Sequence, residues 1–224
     1  MSEFENRNLT PWGYLVDATA IPDFITAQEF DNFTGNKFHG DVRIAANIPS
    51  ASASIRNYCG WHIAPNLHCG LFINMKDLRD AFVGGDLLIQ LPATYVTSIE
   101  KIILNAVYNV EEDEYIGEEV DADGYDFGMG DGLLRIYDVG QRCRKSKVFI
   151  HYTAGYPDSQ IDVIKELTAN RVTYAVANPY GINSESAGGV SVSYSSTWAG
   201  RTSSTALADD SREVLDAYKA KGVF

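Results

Sequence analysis

Val148-Phe149-Ile150-His151-Tyr152-Thr153-Ala154-Gly155-Tyr156-Pro157-Asp158-Ser159-Gln160 holds the change of period on which the fold turns. Val148 to Tyr152 is short and rich in β-branched and aromatic residues, the mark of a strand. Pro157-Asp158-Ser159-Gln160 is a good helix start, and Ile161, Ile164, Leu167, Val172, Ala175 and Val176 follow on one helical face. Pro179 is expected to end that helix.

Upstream, the same strand signal recurs in Leu71–Met75, Leu87–Leu91, Ile99–Leu104 and Leu133–Tyr137, each bounded by Gly, Pro, Asn or Asp. These runs predict an antiparallel sheet or a small sandwich. Further upstream, Thr26-Ala27-Gln28-Glu29 reads as a capping box opening a short helix that ends at Gly35. A second helix is expected from Asp41 to Tyr58, stopped by Gly60 and kinked or split near residue 48 by Pro49, which lacks a backbone donor. Residues 1–24 show no sustained periodicity and read as an extended N-terminal arm.

Downstream, Asn178-Pro179-Tyr180-Gly181-Ile182-Asn183-Ser184-Glu185-Ser186-Ala187-Gly188-Gly189 opens a long loop of small residues, 180–206. Inside it Val190, Val192 and Tyr194 alternate with Ser191, Ser193 and Ser195, the period of a strand with one apolar face and no obvious partner nearby. A last helix starts at Asp210, with Glu213 three residues on, is expected to bury Val214, Leu215 and Tyr218, and stops near Gly222. The fold class expected is α+β: a small helical bundle from the N- and C-terminal parts, 25–64 and 157–224, with an inserted antiparallel β-domain, 65–156. The helices at the two ends are expected to pack together, because each carries an apolar stripe.

Composition narrows the function. The 224 residues are 45% hydrophobic and 12% aromatic, enough for a sizeable core. Thirty acidic against eighteen basic residues, a formal charge of -12, argue against holding nucleic acid by phosphate neutralisation. No apolar run reaches membrane-spanning length, and Met1 to Arg7 has no signal-peptide pattern, so a cytoplasmic location is expected. Cys59, Cys69 and Cys143 form no disulfide framework and are expected to be reduced.

Several groupings carry the residue types of chemistry without its spacing. Cys59, His62, His68 and Cys69 are all zinc-binding types, but Cys-x2-His-x5-His-Cys is no common zinc pattern; core packing of Cys59 beside Trp61 is the plainer reading. Asp121-Ala122-Asp123-Gly124-Tyr125-Asp126 resembles the front of a calcium loop without its distal Glu. It lies in residues 111–131, which hold ten acidic side chains and no Lys or Arg, a solvated hairpin tip or a weak divalent site. Arg142, Arg144, Lys145 and Lys147 read as a DNA-facing tip, an ionic contact with an adjacent subunit, or a charged turn protecting an edge. No Gly-x-Ser-x-Gly elbow occurs, and none of His39, His62, His68 and His151 sits in a catalytic motif. Gly128-Met129-Gly130-Asp131-Gly132 precedes a strand, so it cannot cradle a phosphate at a helix N-terminus. No enzyme activity, cofactor or metal is expected.

The order of the pieces resembles the head-tail connector proteins of tailed bacteriophages, also called adaptor or head completion proteins. The pieces are the Thr26-capped helix, the helix ending Ile55-Arg56-Asn57-Tyr58-Cys59-Gly60, the β-insert with Leu91-Pro92 and Thr97-Ser98-Ile99, the closing Tyr152-Thr153-Ala154-Gly155-Tyr156-Pro157, and the loop from Pro179-Tyr180-Gly181-Ile182 to Ser193-Tyr194. The match runs over residues 25–220, with Pro49 and the large acidic β-insert as departures. The resemblance implies a virion subunit that joins a homo-oligomeric ring, dodecameric in the family, on the portal protein. That ring extends the DNA channel, through which DNA passes without specific binding, and is a platform for the next neck or tail protein. It further implies portal docking through Asp209–Phe224, hence Val214, Leu215, Tyr218, Val223 and Phe224.

Read from the residues, Val190, Val192 and Tyr194 suit addition to a neighbouring subunit's sheet; the alternative is an exposed flexible loop. The acidic balance suits a DNA conduit, since a basic wall would retain the genome. Two other functions stay open: a tail or baseplate binding module, favoured by an exposed aromatic platform among Tyr95, Tyr108, Tyr115 and Tyr125, and a metal-dependent enzyme using Cys59, His62, His68 and Cys69.

Overall fold

The computed structural model describes residues 7–74, 81–112, 114–139, 147–177, 184–187, 190–193 and 209–221. In chain order the elements are β1 (Arg7–Leu9), β2 (Leu15–Asp17), α1 (Ala27–Phe33), α2 (Arg43–Cys59), β3 (Leu67–Asn74), β4 (Phe82–Val83), β5 (Asp86–Gln90), β6 (Val96–Asn109), β7 (Glu114–Glu119), β8 (Tyr125–Phe127), β9 (Leu133–Ile136), β10 (Lys147–Ala154), α3 (Asp162–Ala177), β11 (Ser184–Ala187), β12 (Val190–Ser193) and α4 (Asp209–Asp216). The chain divides into two compact units, residues 1–21, 60–157 and 219–224, and residues 22–59 and 158–218.

The regular structure of the first unit, among the described residues, is antiparallel β. Its larger sheet runs β1-β2-β3-β10-β6-β7, and a second runs β4-β5-β9-β8. β10 is central: it pairs over eight positions with β3 and also with β6. Val148, Phe149 and Ile150 are a continuous apolar run buried on both faces, after which buried Tyr152 and Ala154 alternate with half-buried His151 and Thr153. Leu87, Ile89, Leu134 and Ile136 are the buried, alternating positions of the second sheet. Within the stretch read as an N-terminal arm, β1 and β2 form a hairpin that extends the larger sheet through β2 and β3.

The acidic segment contains real strands. β7 pairs with the long β6, and most of its side chains are exposed, so carboxylates line an outer strand and discourage edge pairing. Opposite Gly117 the register skips between Leu104 and Val107, and Asn105 takes φ 55°. A Cβ on Gly117 would come within 2.5 Å of the Leu104 carbonyl oxygen, so only glycine fits beneath this bulge.

Among its described residues the second unit is mainly helical, with β11 and β12 within its span. Ile25, Phe30, Ile44, Ile48, Ala51, Ala169, Val172 and Val176 make its core, with Phe38 packed against it. The capping box at α1 is complete: Glu29 N–H donates to Thr26 Oγ1 at 3.2 Å and Thr26 N–H to Glu29 Oε2 at 2.7 Å. α2 runs unbroken through Pro49, so the expected split near residue 48 does not occur. Its burial of Ile44, Ile48, Ala51 and Ile55 on both sides of the proline outweighs one missing backbone bond. Gly60 ends it with φ 78°. The ends of the unit meet as the apolar stripes require: Tyr58 donates to Asp216 at 2.7 Å, and Cys59 Sγ lies 3.7 Å from the Leu215 carbonyl oxygen.

A helical bundle carrying an inserted β-domain is therefore the wrong description. Among the described residues the protein is mostly antiparallel sheet, with 29% helical. Two of the helices are short, α1 with 7 residues and α4 with 8. Meanwhile β1, β2, β7 and β8 convert segments read as arm and acidic loop into sheet. The imbalance arises because strand pairing is non-local: Glu-rich β7 has no strand signal of its own and is held by hydrogen bonding to β6.

Candidate functional site

The two positions expected to meet partners both lie in or beside the helical unit. Val190 and Val192 are on β12, which pairs with β11 in the register Ala187↔Val190 and Glu185↔Val192. The strand thus has a partner close in sequence, unlike the expectation, and among the described residues this hairpin is a two-stranded sheet of its own. Tyr194 lies outside the described residues. On α4 Leu215 is fully buried and Val214 40% exposed, and just beyond its end Tyr218 is half-buried, so of the three side chains expected inside, Val214 faces solvent. Val223, Phe224, Pro179, Cys143, Arg142, Arg144 and Lys145 lie outside the described residues.

The four-residue zinc candidate is dispersed. His62 is fully buried and both ring nitrogens are occupied: Nε2 donates to the Ala154 carbonyl at 3.0 Å, and Nδ1 accepts from the Tyr14 hydroxyl at 2.8 Å. That hydroxyl accepts in turn from the His62 backbone N–H at 3.0 Å, which closes a buried network. Cys69 is buried, and desolvation pushes its thiol well above the ordinary range. Cys59 is buried too. Only His68 of the four is exposed.

His68 has other neighbours. Strand pairing puts His68 opposite Thr153 and His151 opposite Gly70, so His68, His151 and Thr153 share one face of the β3–β10 ladder. On the other side of β10, Ser98 pairs with Thr153, Ile99 with Tyr152 and Lys101 with His151, which leaves Glu100 as the extra residue of a β-bulge. One ring nitrogen of each histidine and one Glu100 carboxylate oxygen lie within 4.8 Å of one another. The imidazoles meet edge to face with centroids 5.8 Å apart, and His68 Nδ1 stands 4.0 Å from Glu100 Oε1. Thr153 Oγ1 is hydrogen-bonded to both His68 Nδ1, at 2.9 Å, and Glu100 Oε1, while Ser98 Oγ donates to the same oxygen. Among the described residues this is the one grouping of three or more metal-ligating side chains. The calcium-like segment is a turn between β7 and β8, where Gly124 N–H donates to the Asp121 carbonyl.

Sequence reasoning found His68 and set it with the wrong partners. Glu100 and His151 were missed because each ligand comes from a different strand. The available signal was the alternation in β10, where His151 and Thr153 stand out among Ile150, Tyr152 and Ala154.

The four tyrosines proposed as a platform separate. Tyr108 and Tyr115 lie 5.3 Å apart, and Phe72 adjoins Tyr115 at 5.5 Å. Tyr95 stacks instead on Tyr156 at 4.5 Å, and Tyr125 donates to the Ile99 carbonyl. Val107, Val110 and Ile116 are exposed near the Tyr108–Tyr115 pair. Gly128–Gly132 is a tight connection between β8 and β9, closed by Gly128 N–H to the Leu133 carbonyl at 2.9 Å. Among the described residues no helix is long and apolar enough to cross a membrane. In comparison with known proteins, no family model matches the chain and no curated relative does.

Proposed function

We propose that the chain is a structural subunit of the neck of a tailed bacteriophage. It assembles in the host cytoplasm and resides at the head-tail interface of the virion. There it forms a homo-oligomeric ring, dodecameric as in the connector proteins it resembles, and docks on the portal protein. The ring continues the DNA channel and receives the next neck or tail protein; it performs no catalysis.

The observation that carries this reading is the β11–β12 hairpin. A two-stranded sheet is marginal in water, and among the described residues both of its strands are edges. A third strand from an adjacent copy supplies the missing main-chain bonds without needing a particular side chain. The exposed Val214 on α4, beside the buried Leu215, gives the C-terminal region an apolar contact for the portal while the helix stays anchored. The acidic composition supports passage of DNA without capture.

The test is binding of the purified chain to isolated portal rings, or to DNA-filled heads lacking tails, read by sedimentation and electron microscopy. The expected result is a new ring on the portal's outer face. Absence of binding, with the chain found on tail or baseplate particles, would transfer the protein to the second reading, a tail or baseplate binding module. Exposed Tyr108 and Phe72, both against half-buried Tyr115, favour that alternative, because clustered aromatic surface marks contact sites.

A further inference from the structure

We propose that His68, Glu100 and His151 bind one divalent first-row transition metal ion of the zinc class per chain. The site fastens strands β3, β6 and β10 to one another on the exposed face of the larger sheet. This is independent of the neck assignment, since all three ligands belong to the β unit.

Two imidazoles and one carboxylate form a donor set suited to zinc and its neighbours, whereas magnesium and calcium select oxygen ligands. At metal–ligand lengths of about 2.1 Å, tetrahedral ligands stand about 3.4 Å apart. The observed 4.8 Å limit closes to that by small side-chain rotations, because His68 and Glu100 are surface side chains held at their Cα by paired strands. Three protein ligands leave the remaining coordination to water, and the 59% exposure of the His68 side chain gives the ion a path from solvent.

The surroundings are arranged as an outer shell. A carboxylate only accepts, so Thr153 donates to Glu100 and its oxygen accepts from His68 Nδ1–H. In the ion-free chain Nδ1, the atom 4.0 Å from Glu100 Oε1, carries that proton; an ion bound there moves it to Nε2, while Thr153 stays a donor to Glu100 and keeps the carboxylate oriented. Ser98 holds the same carboxylate oxygen from the other side. The bulge is what brings Glu100 into the group: regular pairing would have no residue between Ile99 and Lys101 opposite Tyr152 and His151. Gly70, across from His151, contributes no side chain and leaves room over the ladder.

The test uses the untagged full chain in a Cys143→Ser background, titrated with zinc chloride by calorimetry and followed by thermal unfolding. One saturable event per chain, micromolar or tighter, is expected, with a rise in the unfolding midpoint. Thr153→Val is expected to weaken binding about tenfold, and His68→Ala, His151→Ala and Glu100→Gln by at least as much. His39→Ala, which removes an exposed histidine paired with Asp31, is expected to leave binding unchanged. Should a histidine variant fail to fold, Glu100→Gln gives the same readout with a surface substitution. No saturable uptake by the folded wild-type chain at millimolar zinc would overturn the proposal. So would uptake that survives His68→Ala with His151→Ala, or full displacement by equal calcium, which would place the ion among the acidic side chains instead.

Discussion

Replacing Tyr14 with Phe removes a single oxygen from the interior of the β unit, where Tyr14 is 1% exposed and His62 fully buried. The hydroxyl makes two bonds, to His62 Nδ1 at 2.8 Å and from the His62 N–H at 3.0 Å, and the Phe ring keeps the volume and the stacking on Trp12 at 6.1 Å. Packing is preserved, so the cost is that of leaving a buried acceptor and a buried donor poorly satisfied, about 1–3 kcal/mol each. Both are on one residue and relax together, so about 2–4 kcal/mol is expected in total. At roughly 2–4 °C per kcal/mol, the unfolding midpoint falls by roughly 4–16 °C. Trp61, 5.3 Å from the His62 ring, and Trp12 make tryptophan fluorescence a reporter of this unit. His62→Phe with Tyr14→Phe completes a double-mutant cycle, for which a coupling of about 1–3 kcal/mol is expected. A Tyr14→Phe protein within about 0.5 kcal/mol of wild type would refute the reasoning, since such a change is typical of an unimportant surface site.

Thr26→Ala, which deletes the α1 cap, is expected to destabilise the helical unit by about 1 kcal/mol in chemical denaturation. The Thr26 backbone N–H, with Lys165 at 3.0 Å, holds the Glu29 carboxyl below its usual range. Its contribution is therefore complete above the ordinary Glu value and lost as pH falls through the depressed folded value. The stability gap between wild type and Glu29→Gln should accordingly close in acid, and a gap that widens there would contradict the assignment. Cys59 and Cys69 should resist thiol reagents until the protein unfolds, because both are buried and the Cys69 thiol is raised by desolvation; labelling at native rates typical of free thiols would contradict that. Val192→Asp should lower the yield of rings on portal with little change in monomer stability, measured by sedimentation and by unfolding; an unchanged yield would remove β12 from the subunit contact.

Much of the local structure was legible because its causes are local. The capping box at Thr26 and Glu29, the stop at Gly60 and the handover from β10 to α3 depend on residues within a turn or two of one another. The split at Pro49 does not occur for the opposite reason: continuity of α2 is decided by Ile44, Ile48 and Ala51 packing against α3, a contact far along the chain. Val214 and Leu215 are adjacent and both apolar, and only the placement of α4 distinguishes the buried one from the exposed one.

The chain by itself determined the β-rich middle, the helix caps, the acidic surface and the alternation in Val190 to Ser193, all properties of neighbouring residues. Tertiary structure decided that sheet predominates over helix, that the acidic stretch Glu114–Glu119 forms β7, and that β12 closes on β11. It also decided that His68 leaves Cys69 and His62 for Glu100 and His151. The physical reason is that register and bulges are fixed by pairing between distant strands, and a shift of one residue moves a side chain to the other face.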